Sequence, residues 1–259
     1  MRTTNLLEKI MDSPYQVYLA LRASLVVIST DGSDAAARTC SGFHIGSGYF
    51  VTSKHAITAS PMMSVRPAAD FGVMTSIEVE EVLLSRDPNV DLAVLRTRIS
   101  LSDAYLNGNG EVSGRTLDDF CAIRFGGEYP EGQHPYVLEE VVVLGTATAP
   151  RTSGPDLTGI RAQINMTSKH QGEFDYCFQT ISAVARAGLE GSAVVDRYGE
   201  LVGVVCRSEN GDGTKPGLVS AISVAALMGL LHENHVHLPN NPNPFYVEEE
   251  VAYGNWFTS

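Results

Sequence analysis

Gly188-Leu189-Glu190-Gly191-Ser192-Ala193-Val194-Val195-Asp196, followed by Gly199-Glu200-Leu201-Val202-Gly203, is the stretch on which the reading of this chain turns. A turn bounded by glycines runs into a β-branched strand, a hairpin and a second apolar strand; glycines at such points supply backbone conformations that other residues resist. Two earlier segments have a related texture. Ser41-Gly42-Phe43, then Tyr49-Phe50-Val51-Thr52-Ser53-Lys54-His55-Ala56, is an apolar strand ending in Val-Thr-x-x-His, which places an imidazole at the rim of a sheet. Asp87-Pro88-Asn89-Val90-Asp91-Leu92-Ala93-Val94-Leu95-Arg96 puts Asp91 immediately before an alternating apolar strand, and its first three residues read as a turn.

Around these segments the chain is built of short β-branched and aliphatic runs. Ser24 to Ile28, Gly48 to Thr52, Ile77 to Leu84 and Leu92 to Arg96 form a first set. Glu140 to Leu144, Ile160 to Met166, Phe174 to Gln179, Ala193 to Asp196, Leu201 to Cys206 and Leu218 to Ile222 form a second. Many short strands with turns between them predict an all-β barrel or sandwich. Helical patterning is confined to the ends: Asp12-Ser13-Pro14 reads as a helix N-terminus with proline in the first turn, and Ser223 to Leu231 as an apolar helix. The expected organisation is an N-terminal helical segment (1–22), a first barrel (23–98), an inter-barrel connection with local strand content near Ala122 to Phe125 (99–136), a second barrel with its helix (137–231) and a tail (232–259).

The three segments, in this order, resemble the chymotrypsin-like serine proteases, most closely the Deg/HtrA group. There the histidine follows Val-Thr-x-x, the aspartate opens Asp-[Ile/Leu]-Ala-[Leu/Val]-Leu-[Lys/Arg], and the nucleophile lies in Gly-x-Ser-Gly-[Gly/Ser]-[Pro/Ala]. Gly217-Leu218-Val219-Ser220-Ala221-Ile222 and the helix after it are similar to that group's final strand and helix. The resemblance spans about residues 23 to 231 and implies a double β-barrel. It also implies that His55 is the base, Asp91 its orienter, and the N–H groups of Gly188 and Glu190 the oxyanion hole. A serine hydroxyl is a poor nucleophile until a histidine, held in one tautomer by a carboxylate, takes its proton. No cofactor is implied. Ala183, Val184 and Ala185 would line the substrate pocket and favour a small or aliphatic side chain.

Then the pattern breaks. Gly188 is the glycine two before the nucleophile and Gly191 the one after it, so the nucleophile position holds Glu190. A carboxylate there forms no ordinary acyl-enzyme with a peptide; it is expected to hydrogen-bond to His55, raise its pKa and intrude where a scissile carbonyl must lie. The chain is therefore expected to be hydrolytically inactive, a pseudoprotease that binds polypeptide or a protein partner in the former cleft. The alternative is an active serine endopeptidase, either because Glu190 replaces an original catalytic serine in an inactivated variant or because Ser192 acts. The Ser192 register would put Glu190 where the turn needs glycine and shorten the hairpin by two residues.

Composition narrows the remaining choices. Of 259 residues, 44% are hydrophobic and 19% charged, and the net charge of −12 argues against nucleic acid and anionic membranes as partners. The start of the sequence has no apolar run ending in small residues, and Cys40, Cys121, Cys177 and Cys206 are isolated, so a cytoplasmic protein with reduced thiols is expected. His232, His235 and His237 lack standard metal-ligand spacing and are expected to be solvated. The tail couples Pro239 to Pro244 with an aromatic-acidic end, Phe245 to Phe257, and is expected either to dock a partner or to pack on its own barrel. Residues 232–259 are too few for the PDZ module usual in the Deg/HtrA group. No oligomeric state is implied.

Overall fold

The computed structural model describes residues 13–30, 38–57, 63–68, 76–101, 122–126, 137–148, 155–170, 175–183, 186–206 and 218–238. Cys121, Val184, Ala185 and the tail segment 239–259 lie outside the described residues.

Twelve strands form two closed six-stranded antiparallel barrels. The first contains β1 (Leu25–Thr30), β2 (Arg38–Gly46), β3 (Tyr49–Ser53), β4 (Met63–Pro67), β5 (Ile77–Leu84) and β6 (Leu92–Thr97), in the order β1-β2-β3-β6-β5-β4. The second contains β7 (Glu140–Thr148), β8 (Pro155–His170), β9 (Tyr176–Ile181), β10 (Ala193–Val195), β11 (Leu201–Val205) and β12 (Val219–Ser223), in the order β10-β11-β12-β9-β8-β7. Pairing of β1 with β4 and of β10 with β7 closes the two sheets and removes their edges. This is the chymotrypsin-like double barrel.

Three helices accompany the barrels among the described residues: α1 (Pro14–Leu21), the short α2 (Lys54–Ile57) and α3 (Val224–Glu233). Helix α1 begins as the sequence predicts, with Pro14 in its first turn and the Ser13 hydroxyl accepting from the Gln16 N–H at 3.3 Å. No described helix is long and apolar enough to cross a membrane.

Alternation along the strands divides the apolar residues into separate cores. Val26, Ile28, Phe50, Val65, Ala93 and Leu95 fill the first barrel. Val141, Val143, Ile164, Ile181, Val194 and Val202 fill the second. The opposite faces of several of the same strands, including Phe43, Val51, Leu144 and Val204, join α1 and α3 in a third cluster. Two strands escape the sequence reading, β2 and β4. Buried Ser41 and His44 interrupt the apolar pattern of β2, and β4 carries Arg66 and Pro67. The anticipated strand content near residues 122–125 is a parallel bridge from Phe125 to Leu201.

Ser41 is a buried polar link between the barrels. Its hydroxyl accepts from the Thr146 N–H at 2.7 Å on β7 and lies 2.6 Å from the Gly188 carbonyl, to which it donates. Its N–H is shared between the carbonyls of Gly188 at 3.1 Å and Glu190 at 3.0 Å, and its own carbonyl accepts from Thr52 Oγ1 at 2.7 Å. Removing one partner of a buried hydrogen bond leaves the other unsatisfied, at a cost of about 1–3 kcal/mol. Ser41→Ala is accordingly expected to lower the unfolding free energy by about 1–3 kcal/mol in urea titration, whereas Ser168→Ala on β8 changes it by less than about 0.5 kcal/mol.

Candidate active site

His55 stands on α2, the single turn that follows β3, and Asp91 stands directly before β6, which pairs with β3. That pairing makes them neighbours although they are 36 residues apart in sequence. Asp91 accepts twice from the same residue: Oδ1 from the His55 N–H at 2.9 Å and Oδ2 from the imidazole Nδ1 at 2.7 Å. The Lys54 N–H reaches the Asp91 carbonyl at 3.3 Å. The double contact fixes the ring's orientation and places the Nδ1 proton against Asp91, leaving Nε2 to face the cleft.

What Nε2 meets there is Glu190, whose Oε2 lies 2.7 Å away. The three side chains form one line across the barrel junction, and Glu190 is 42% exposed at its cleft end. The hydrogen bond from His55 to Asp91, then that to Glu190, raises the imidazole pKa from its ordinary 6.5 to about 9; burial opposes the shift and is outweighed. The raised pKa favours the charged imidazole at neutral pH, held between the carboxyl groups of Asp91 and Glu190.

The turn that carries Glu190 is held tightly. Gly188 and Gly191 have φ of +93° and +84°, in the left-handed region that glycine alone adopts freely. Gly191 also has no room for a side chain, because a Cβ would strike the Ser41 carbonyl and the Thr52 hydroxyl. The Gly191 N–H donates to the Val205 carbonyl at 2.9 Å, the Ser192 N–H to Leu189 at 3.0 Å and the Leu189 N–H to Arg186 at 3.2 Å. The N–H groups of Gly188 and Glu190 have no acceptor among the described residues, so two donors on one turn stay available to an oxygen in the cleft.

Ser192 is placed differently. It is fully buried, on the side of the turn facing Gly145, where a Cβ would collide with its hydroxyl, and its Oγ has no hydrogen-bond partner among the described residues. Ala183 is 4% exposed and belongs to the second-barrel core. Two contributors escape the sequence reading, Ser41 and Thr52, although Ser41-Gly42 and Val51-Thr52 lie in the segments that flag the site. Their one visible signal is small size where a strand must approach another backbone: a Cβ on Gly42 would come 3.0 Å from the Val51 carbonyl. Cys40, behind the turn, is buried and lies 3.5 Å from Thr52 Oγ1; burial pushes its thiol up to about 11.

The profile of the trypsin-like peptidase domain matches residues 40–204, well over half of the chain, and the chain belongs to that family. No curated protein matches it. Among solved structures, it is similar to the active form of the Rv3671c protease from M. tuberculosis, with 19% identity, a TM-score of 0.60 and 86% of each chain covered. It is similar also to the serine endoprotease from Yersinia pestis, with 23% identity, a TM-score of 0.58 and coverage of 86% of this chain and 66% of that one. The HtrA-type protease AlgW, solved with a decapeptide, gives 17%, 0.60, and 86% and 68%. Identities this low establish a shared fold.

Because the His55 pKa is raised, the stability its ion pairs contribute is fully present below about pH 6.5 and is lost as pH rises through about 9. Titration of the His55 ring by NMR is expected to centre near 9, to move down in Glu190→Gln, and to move further down in Asp91→Asn, since Asp91 is the larger cause. A midpoint near the ordinary value in the unaltered chain would contradict this electrostatic picture.

Proposed function

We propose that this chain is a trypsin-like domain whose peptide-bond hydrolysis is disabled at Glu190, and that its cleft binds polypeptide or a protein partner without cutting it. The observation that carries the reading is the 2.7 Å contact between Glu190 Oε2 and His55 Nε2. A carboxylate attacking a peptide carbonyl would have to form a mixed anhydride, a far more reactive acyl group than the amide it replaces. Nor is a base available, since the imidazole that would accept a proton from serine or water already holds one at neutral pH. Polypeptide is the expected ligand because the family acts on peptides and AlgW was solved with a bound decapeptide.

In this reading His55, Asp91 and Glu190 are the remnants of a triad, and Gly188 and Glu190 supply the oxyanion-hole donors. The pocket assigned to Ala183, Val184 and Ala185 stays part of the proposal. Ser192 is given no nucleophilic role, because its hydroxyl is fully buried on the Gly145 side of the turn and His55 Nε2 is already engaged by Glu190. Cys40, Cys177 and Cys206 are buried and form no disulfide among the described residues, which fits a reducing, cytoplasmic setting.

The test is a side-by-side comparison of this chain and Glu190→Ser, using a fluorophosphonate probe and a peptide library read by mass spectrometry. The unaltered chain is expected to remain unlabelled and to leave the library intact. The serine variant is expected to label at residue 190 and to cleave at least about a thousand-fold faster than the parent. Labelling of the unaltered chain at Ser192 would overturn the proposal.

A further inference from the structure

Asp91 is delivered to His55 by residues 85–91, the link between β5 and β6 of the first barrel. Val90 of this link is buried in the cluster that also holds Ala226, Leu227 and Leu230 of α3, but the rest of the link is not packed this way. Beside that contact lies an open crevice of about 250 Å³, lined by Arg86, Pro88 and Val90 of the link and by Ala226, Gly229 and Leu230 of α3. Hydrogen bonds hold the polar part of the link. Glu233, the last residue of α3, accepts from Ser85 Oγ at 3.2 Å and from the Arg86 N–H at 3.0 Å. Tyr176, on β9, donates its phenol to Asp87 Oδ2 at 3.1 Å.

Both partners are expensive to place where they are. A carboxylate in the last turn of a helix faces the negative end of the helix dipole, which disfavours it. Tyr176 is one of the largest fully buried side chains, stacked on His170 with ring centroids 4.7 Å apart, and burial followed by the Asp87 contact pushes its pKa well above the usual tyrosine range. Residues that break a local rule and then converge on one turn mark a turn whose position matters.

The turn transmits that hold to the site. Asp87 N–H donates to Ser85 Oγ at 3.1 Å, Asp87 Oδ1 accepts from the Asn89 N–H at 2.9 Å, and the Val90 N–H returns to the Asp87 carbonyl at 3.2 Å. Burial pushes the Asp87 carboxyl up, but its bonds to Asn89 and Tyr176 and the nearby His170, 3.7 Å away, outweigh this and keep it ionised. The next residue after Val90 is Asp91.

We propose that Glu233 and Tyr176 are positioning residues: from the second barrel they brace residues 85–90 so that Asp91 keeps its double contact with His55. The proposal rests on His55–Asp91 being the working pair of the cleft, but not on Glu190 being the block to hydrolysis. The test uses the full chain with Glu190 present, so it does not depend on whether serine restores activity. His55 is titrated by NMR in the parent, Glu233→Gln, Tyr176→Phe, the double variant and Glu233→Asp, each first shown to be folded by a cooperative thermal transition.

The His55 midpoint is expected to fall by about half a pH unit in the double variant, a roughly threefold loss of proton affinity, and by less in each single variant. Glu233→Asp is expected to restore part of it, and Glu81→Gln, which removes a surface ion pair on β5, to leave it unmoved. Midpoints that stay within about 0.1 pH unit of the parent in folded variants would overturn the brace. If Glu233→Gln fails to fold, Tyr176→Phe decides alone, because it removes only the hydroxyl.

Discussion

A buried serine on one barrel holds the turn of the other. Ser41 grips the carbonyls of Gly188 and Glu190 and the amide of Thr146, all from the second barrel, while its own carbonyl is held by Thr52 of the first. Gly191 then has space for no side chain against Ser41 and Thr52. Because the turn is fixed to β2 and His55 follows β3, its neighbour in the sheet, the separation between His55 and residue 190 is set by strand register rather than by a flexible loop. A side chain at 190 long enough to reach Nε2 is therefore held in contact with it.

In the proposed reading, that constraint lets the residue at 190 decide the chemistry of the cleft. In a serine triad the histidine cycles between neutral and charged forms during each turnover, so its pKa must sit near the working pH. Here two carboxylates hold the ring from opposite sides, and the imidazolium is the resting state over the physiological range. Around it stand the two left-handed glycines, the N–H groups of Gly188 and Glu190, which meet no acceptor among the described residues, and a ring oriented by Asp91. The proposed function takes this as a geometry suited to holding a polypeptide carbonyl, with a carboxyl group in place of the attacking hydroxyl.

The parts of this arrangement that sequence discloses are those written in contiguous patterns. Val51 to His55, Asp91 to Arg96 and Gly188 to Ala193 each join a chemical residue to a strand, and their order implied two barrels. Positions whose role depends on distant packing left no such trace. β2 escaped notice because its alternation is broken by Ser41, which serves the junction, by Gly42, packed against Ile28 and Val51, and by buried His44, which accepts from the Gly48 N–H. Glu233 lies beyond the apolar helix read at Ser223 to Leu231 and carries no sequence signal; the fold extends the helix to it and brings it to Ser85, 148 residues earlier in the chain. Asp87 reads correctly as a turn residue, but its link to Tyr176 is a tertiary fact.

The most direct measurement is a crystal structure of the unaltered chain with a peptide bound, collected after prolonged incubation at neutral pH. The account predicts an intact peptide lying along the cleft, with the Glu190 carboxylate still within hydrogen-bond distance of His55 Nε2 and the 188–192 turn unchanged. A cleaved peptide, or an acyl adduct on Ser192, would contradict it.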